Sequence, residues 1–223
     1  GVPVPAVVHA HDWHAALASV YMHRFGVKDI KTILTLHNVA FQGVYPMMPA
    51  EQLGLYPEYL TADGLEYWGK LNFLKAGLLY SDCITVVSHN YAREILTPRF
   101  GCGLESVLAA RIDKMVAIPN GIDTKLWNAG RDTYLHGKTF TADRLENKVA
   151  CKTALQKAYG LDADRGAFLL AMGSRLTEQK MVDVALQALP QALDAMPKLQ
   201  VCILVQGERR AERELVQLAQ RYP

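Results

Sequence analysis

The run Cys83-Ile84-Thr85-Val86-Val87 is apolar and β-branched with no alternation, and patterns with helical spacing flank it on both sides. A strand with one solvated face alternates apolar and polar residues. An unbroken run needs cover on both faces, which is what a parallel sheet between helices provides. The same alternation of short β-rich runs and helical patterns extends along most of the chain. Strands are predicted over 6–9, 31–36, 83–87 and 115–118. Helices are predicted over 14–25, 71–80 and 90–96, the last with Ser88 as its N-cap. After Trp127 a polar, turn-rich stretch runs to about Asp143 with no strong period. A second series then follows: helix 147–159, strand 168–172, helix 182–195, strand 199–205 and the charged amphipathic helix 208–221. This pattern predicts the α/β class with parallel sheets. The polar break predicts two α/β domains, 1–125 and 144–223, with an interdomain linker region over 126–143.

At 223 residues, half of them apolar, the chain has enough material for two modest cores. A net charge of +2 gives no support to a nucleic-acid or anionic-membrane surface. No apolar run approaches membrane-spanning length. Four cysteines are widely spaced without a Cys-x-x-Cys pair. Cys83 and Cys202 lie in apolar runs, as reduced core residues of a cytosolic protein would.

Open parallel sheets bind ligands beyond the carboxyl ends of their strands. The residues with chemistry fall at those places: His9-Ala10-His11-Asp12-Trp13-His14 after the first strand, His37-Asn38 after the second, Asn120-Gly121 after another and Gly173-Ser174-Arg175 in the second series. Arg175 and Lys180, five positions apart, are placed by this pattern at a strand-to-helix turn, where free backbone N–H groups favour an anion. A guanidinium fork and a mobile ammonium suit a diphosphate. The alternative is a surface loop with two solvated cations. His9 and His11 fall on one side of a strand, so two metal ligands are conceivable. Asp12, however, comes one place too early for a His-x-His-x-Asp-His metal motif, and no second carboxylate stands near it as a glycosidase pair would require. Trp13, Tyr45, Tyr67 and Trp68 could stack on sugar rings; for Trp68, packing with Leu65, Leu71 and Phe73 is the competing reading. His14 is expected to begin the following helix, and His23 and His89 to lie on helix surfaces.

Several longer segments carry a resemblance. They are His9–His14, then Thr35-Leu36-His37-Asn38-Val39-Ala40-Phe41-Gln42-Gly43, then Glu66-Tyr67-Trp68-Gly69-Lys70-Leu71-Asn72-Phe73-Leu74-Lys75-Ala76-Gly77. Val86-Val87-Ser88 with Tyr91-Ala92-Arg93-Glu94, Pro119-Asn120-Gly121-Ile122-Asp123, and Ser174-Arg175-Leu176-Thr177-Glu178-Gln179-Lys180 complete the set. In this order and spacing the chain resembles the glycogen and starch synthase family. The resemblance implies a GT-B architecture, two Rossmann-like domains facing across a cleft that closes on substrate. It implies retaining transfer of glucose from ADP-glucose to the non-reducing end of an α-1,4-glucan such as glycogen, in the cytoplasm, with no cofactor and no metal. It also implies site roles. His11 contacts the donor sugar; Asn120 and Gly121 form the turn that reaches it; Arg175 and Lys180 hold the diphosphate; Gly207 belongs to the nucleotide side. Asp12, Trp13, His37, Asn38 and Gln42 become acceptor-side candidates.

The sequence departs from the family pattern at two places. Met181 follows Lys180 where the family has glycine, and Val205-Gln206-Gly207-Glu208 replaces a Gly-x-Gly-Asp turn. The family's Lys-Thr-Gly-Gly-Leu segment would lie before Gly1 and its Glu-containing donor motif beyond Pro223, so an internal fragment, inactive alone, is expected. A non-catalytic glucan-binding remnant and another GT-B transferase using a UDP-sugar are the competing readings.

Overall fold

The structure, a computed structural model, describes residues 3–223, and its contacts divide the chain into two compact units, Gly1–Gly121 and Ile122–Pro223. The boundary falls four residues before the position the sequence gives, and the polar stretch 126–143 groups with the second unit.

In the first unit, β1 (Val7–His11), β2 (Lys31–Leu36), β6 (Cys83–Val86) and β7 (Met115–Ala117) form a parallel sheet in the order β1-β2-β6-β7. The register aligns His11 with Thr35 and Thr35 with Thr85, so the ends that carry the candidate residues lie side by side. Helix α1 (Asp12–Arg24) follows β1 directly. Leu34, Leu36, Ile84 and Val86 are fully buried, together with Leu74, Leu78, Ile95, Leu104 and Leu108 from elements that cover the sheet. At about 25 cal/mol per Å² of apolar surface, each such leucine or isoleucine contributes roughly 2 kcal/mol relative to exposure.

Between β2 and β6 the chain builds something the periodicity does not announce. Strands β3 (Val44–Pro46), β4 (Glu66–Tyr67) and β5 (Lys70–Asn72) make a small antiparallel sheet in the order β3-β5-β4. Helix α2 (Phe73–Tyr80) therefore begins two residues later than predicted, capped by Asn72, whose side chain accepts from the Lys75 N–H at 2.9 Å. Trp68 (φ 51°) and Gly69 (φ 75°) form the β4–β5 turn, both left-handed. That turn turns the Trp68 ring outward, 86% exposed, while its neighbours Leu65 and Leu71 are buried, so packing does not account for Trp68. Helix α3 (His89–Glu94) has Ser88 at its N-cap as expected, with Oγ accepting from the Tyr91 N–H. Helix α4 (Glu105–Ala109) precedes β7.

The second unit opens with an irregular stretch and two short 3-10 turns, then α5 (Lys148–Ala158). Strand β8 (Phe168–Leu176) pairs in parallel with β9 (Leu199–Gly207), and α6 (Val182–Ala195) and α7 (Arg209–Arg221) complete the unit. Leu176, Val182, Leu189, Ala211 and Leu215 make its core, with Val201, Ile203 and Val205 against them. Strand β8 runs four residues beyond its predicted end because Leu176 is wholly buried there and the β9 ladder continues to Gly207.

Candidate functional site

The polypeptide turns from β1 into α1 at Asp12, which has φ 52°. Aspartate tolerates the left-handed region better than most side chains because it can bond locally. Here its Oδ1 accepts from the His37 N–H at 2.8 Å and the Asn38 N–H at 3.4 Å, tying the turn after β1 to the turn after β2. Asn38 Oδ1 in turn accepts from the Ala40 N–H at 3.0 Å, and Tyr91 Oη accepts from the Val39 N–H at 2.7 Å. The loop 37–40 is thus held from outside by Asp12 and Tyr91 and braced within by Asn38.

These turns bring the imidazoles together. His11 Nδ1 lies 3.0 Å from His37 Nε2, and the His11 ring stacks on His9 with centroids 4.4 Å apart. His9 Nε2 is 2.6 Å from Thr35 Oγ1, which is 2.5 Å from Thr85 Oγ1. One face of the sheet therefore carries a hydrogen-bonded polar row from β1 through β2 to β6. Crowding strips water from His11 and lowers its pKa; the nearby His9 and His37 lower it further, and Asp12 opposes them. A neutral ring is the result at neutral pH. Among the described residues no group of three or more His, Cys, Asp or Glu side chains is placed to hold a metal ion.

Trp13 stacks on His14 at 4.0 Å and tilts against Tyr45 at 5.9 Å. It lines a cavity of about 510 Å³ with Phe41, Gly43, Val44 and Tyr67. Gly43 (φ 62°) sits so close that a Cβ there would lie 2.4 Å from the Trp13 ring. Gln42 also borders the cavity, yet it is buried and its amide is engaged at both ends. Its Nε2 donates to the Cys102 carbonyl at 2.9 Å, and its Oε1 accepts from Asn72 Nδ2 at 2.7 Å. The structure thus gives Asp12 and Gln42 scaffold partners, and leaves Trp13, His11 and His37 with exposed ring surface. Asn120 and Gly121 lie in the irregular, exposed segment after β7.

In the second unit the two cations are not at one turn. Arg175 belongs to β8, paired with Gln206, and Lys180 ends a 3-10 turn (Glu178–Lys180) before α6. Both are exposed, and neither forms an ion pair with a described residue. Met181 follows in the left-handed region (φ 54°, ψ 40°), a conformation that costs a side chain about 1–2 kcal/mol and glycine almost nothing. Gly207, paired with Leu176, leaves no room for a side chain: a Cβ would lie 2.4 Å from the Leu176 carbonyl oxygen. Close approach in this turn is thus made at Gly207, and Val205 is a half-buried core residue.

One residue escaped the sequence reading. Lys75 of α2 is 6% exposed, and its Nζ donates to the carbonyls of Ala62, Gly64 (3.0 Å) and Glu66 (2.7 Å). A lone charge inside the apolar helical run Phe73-Leu74-Lys75-Ala76-Gly77-Leu78 was the available signal, since a buried ammonium must find acceptors.

Comparison with known proteins follows the same lines. A family model described as the starch synthase catalytic domain matches residues 1–110. The chain is 52% identical over 223 residues to a glycogen synthase of Bordetella petrii, covering 100% of this chain and 43% of that protein. It is 53% identical over 224 residues to a glycogen synthase of Ralstonia nicotianae, covering 99% of this chain and 41% of that one. Among solved structures it is similar to the catalytic domain of starch synthase IV from Arabidopsis thaliana bound to ADP and acarbose. That match has a TM-score of 0.85 at 28% identity, over 98% of this chain and 46% of the other. The chain therefore spans less than half the length of these relatives, and its α/β architecture with parallel sheets is of the GT-B class.

Proposed function

Because the chain belongs to the glycogen and starch synthase family, we propose that the protein containing it moves glucose from ADP-glucose to the non-reducing end of an α-1,4-glucan, with retention and without a metal ion. The observation that carries this reading is the 52% identity over the full chain to a glycogen synthase, with His11 neutral and open at the carboxyl end of a parallel sheet. The ADP held by the starch synthase IV domain is the product that ADP-glucose would leave. A cytoplasmic setting is proposed, and the chain alone is proposed to be inactive, because it spans 43% of such a relative.

The chemistry asks for specific help. The bond from the glucose anomeric carbon to the diphosphate breaks, negative charge collects on the departing ADP, and a bond forms to an acceptor hydroxyl, whose proton is released. Fixed cations at the diphosphate stabilise that charge more in the transition state than in the ground state. Arg175 and Lys180, both exposed and without an ion-pair partner among the described residues, are assigned that task. His11 is assigned to the donor sugar, and Asn120 and Gly121 to the same side. Trp13, with Phe41 and Tyr67 in the cavity wall, offers ring faces to a glucan.

In the intact enzyme, Arg175→Ala or Lys180→Ala should each cost about 3 kcal/mol of transition-state stabilisation, roughly a hundredfold in rate. If neither change slows transfer even about tenfold, the diphosphate assignment is wrong. The direct assay offers ADP-glucose and UDP-glucose separately, with glycogen, to the full-length gene product and to the chain alone. Transfer from ADP-glucose by the full-length protein only is expected. Preference for UDP-glucose would move the donor assignment, and no transfer from either would end the synthase reading.

A further inference from the structure

His37 stands with the acceptor-side candidates, yet its ring faces another imidazole. We propose that His37 is a positioning residue that fixes His11 as an Nε2–H hydrogen-bond donor toward the ligand, acting through His11 instead of touching the glucan. The kinetic half of this proposal rests on the transferase reading; the structural half does not.

The contact is His11 Nδ1 to His37 Nε2 at 3.0 Å. Two neutral imidazoles joined this way can place their protons in two arrangements, because each ring has one N–H and one lone pair. In the first, His37 Nε2–H donates to the His11 Nδ1 lone pair, and both rings carry the proton on Nε2, the form a free neutral histidine prefers in water. In the second, His11 Nδ1–H donates to His37, and both rings must take the less favoured Nδ1–H form. The first arrangement therefore wins, and it leaves the His11 Nε2–H outside the pair. The partner's hydrogen bond decides the tautomer, a general property of histidine.

The surroundings hold this geometry in place. His9 stacks on one face of the His11 ring and is itself bonded to Thr35. The His37 backbone N–H is held by Asp12 Oδ1, which fixes the main chain from which the His37 ring reaches His11. The groups facing His11 are thus His9 from β1, His37 from the turn after β2 and Asp12 from the start of α1. Protonating His11 would require a proton on Nδ1, where the His37 N–H already points, with the His9 ring stacked beside it. The lowered basicity of His11 agrees with this. A ring locked in this form donates to a sugar hydroxyl or a phosphate oxygen and does not serve as a base at Nε2.

The test labels histidine nitrogens in this chain and reads long-range proton–nitrogen correlations through a pH titration. His11 is expected to carry its proton on Nε2 and to titrate below the ordinary histidine value. His37→Phe should leave His11 as a mixture of tautomers with a midpoint raised toward that value. His37→Gln, whose amide N–H can reach the same lone pair, should restore the wild-type form. His11 found with its proton on Nδ1, or unaffected by His37→Phe in a chain whose amide spectrum is otherwise unchanged, would overturn the proposal. In the full-length gene product His37→Phe should lower kcat about tenfold, the worth of one hydrogen bond, and leave the KM for glucan unchanged. A raised glucan KM with unchanged kcat would return His37 to the acceptor and refute the assignment. Absence of transfer by the unmutated protein would sink the synthase reading, and the tautomer measurement would still decide this one.

Discussion

Lys75→Met tests whether a buried ammonium holds the small antiparallel sheet to α2. Methionine nearly matches the shape of the lysine stem, so packing changes little and the measured loss reports the charge and its bonds. Three carbonyls, those of Ala62, Gly64 and Glu66, lose their donor at once. Gly64 is buried and Glu66 half-buried, whereas Ala62 is exposed and regains water. Each carbonyl left unpaired away from water costs about 1–3 kcal/mol. Against this stands the desolvation that the ammonium no longer suffers, the same burial that pulls the Lys75 pKa down. Its size is several kcal/mol for a fully dry ion and less here, where three oxygens surround it.

The balance is a loss of about 2–3 kcal/mol, because the Gly64 carbonyl is left dry and that of Glu66 only partly wetted, and the relief from removing the charge offsets only part of their cost. For a unit of this size that corresponds to a fall in Tm of roughly 8–12 °C. Urea unfolding followed by circular dichroism gives the free energy. Limited proteolysis then locates the damage, which should appear first in the segment 60–66. A loss under about 0.5 kcal/mol, the level of an ordinary surface change, would mean that the carbonyls find other partners and that Lys75 anchors nothing.

Gly43→Ala should destabilise the first unit by about 2–3 kcal/mol, from left-handed strain plus displacement of the Trp13 ring, and should shift tryptophan emission; unchanged emission and stability would contradict the close contact. Met181→Gly should instead stabilise by about 0.5–1 kcal/mol, since relief of left-handed strain exceeds the extra entropy of an unfolded glycine and the Met181 side chain is 65% exposed; a lower urea midpoint would refute this. Asp82 is held below the usual carboxylate range first by the Thr32 backbone N–H at 2.9 Å, with help from the Thr32 hydroxyl and Lys31 against some burial. Its folded pKa is depressed, so its contribution is present above the unfolded value and lost as pH falls through the folded one. With the side chain 46% exposed, Asp82→Asn should cost only about 0.5–1 kcal/mol at pH 7 and progressively less as pH falls through the folded value, read from denaturation across acidic pH; an equal cost throughout would remove the charge from the explanation.

The parallel sheet was legible because Cys83–Val87 is apolar enough to demand cover on both faces, and the register then buries Leu34, Leu36, Ile84 and Val86 together. The antiparallel sheet β3-β5-β4 was not, for a physical reason. Its strands are two or three residues long, too short for a period of two to show, and the turn rests on a tryptophan forced left-handed. The strand expected over 168–172 ends before Gly173-Ser174, residues with little intrinsic β preference. In the structure, pairing with β9 and burial of Leu176 carry the strand through them, an instance of tertiary contacts overriding local preference.

The candidate site divides along a similar line. A sequence pattern records that a polar residue belongs at a position, and it does not say whether the side chain faces the ligand or the scaffold. Asp12 spends a carboxylate oxygen on the turns, Asn38 bonds the Ala40 N–H, and Gln42 uses both ends of its amide inside the unit. What distinguishes His11, Trp13, Arg175 and Lys180 is what remains after those bonds are assigned: ring surface or cationic donors that face outward. Gly207 and Met181 make the complementary case on the backbone. Gly207 is required because the Leu176 carbonyl leaves no room for a Cβ, and Met181 occupies a conformation that glycine would adopt without strain. Strain kept beside Lys180 costs stability wherever it lies, and in the turn joining Arg175 to α6 that strain sits on the Met181 backbone.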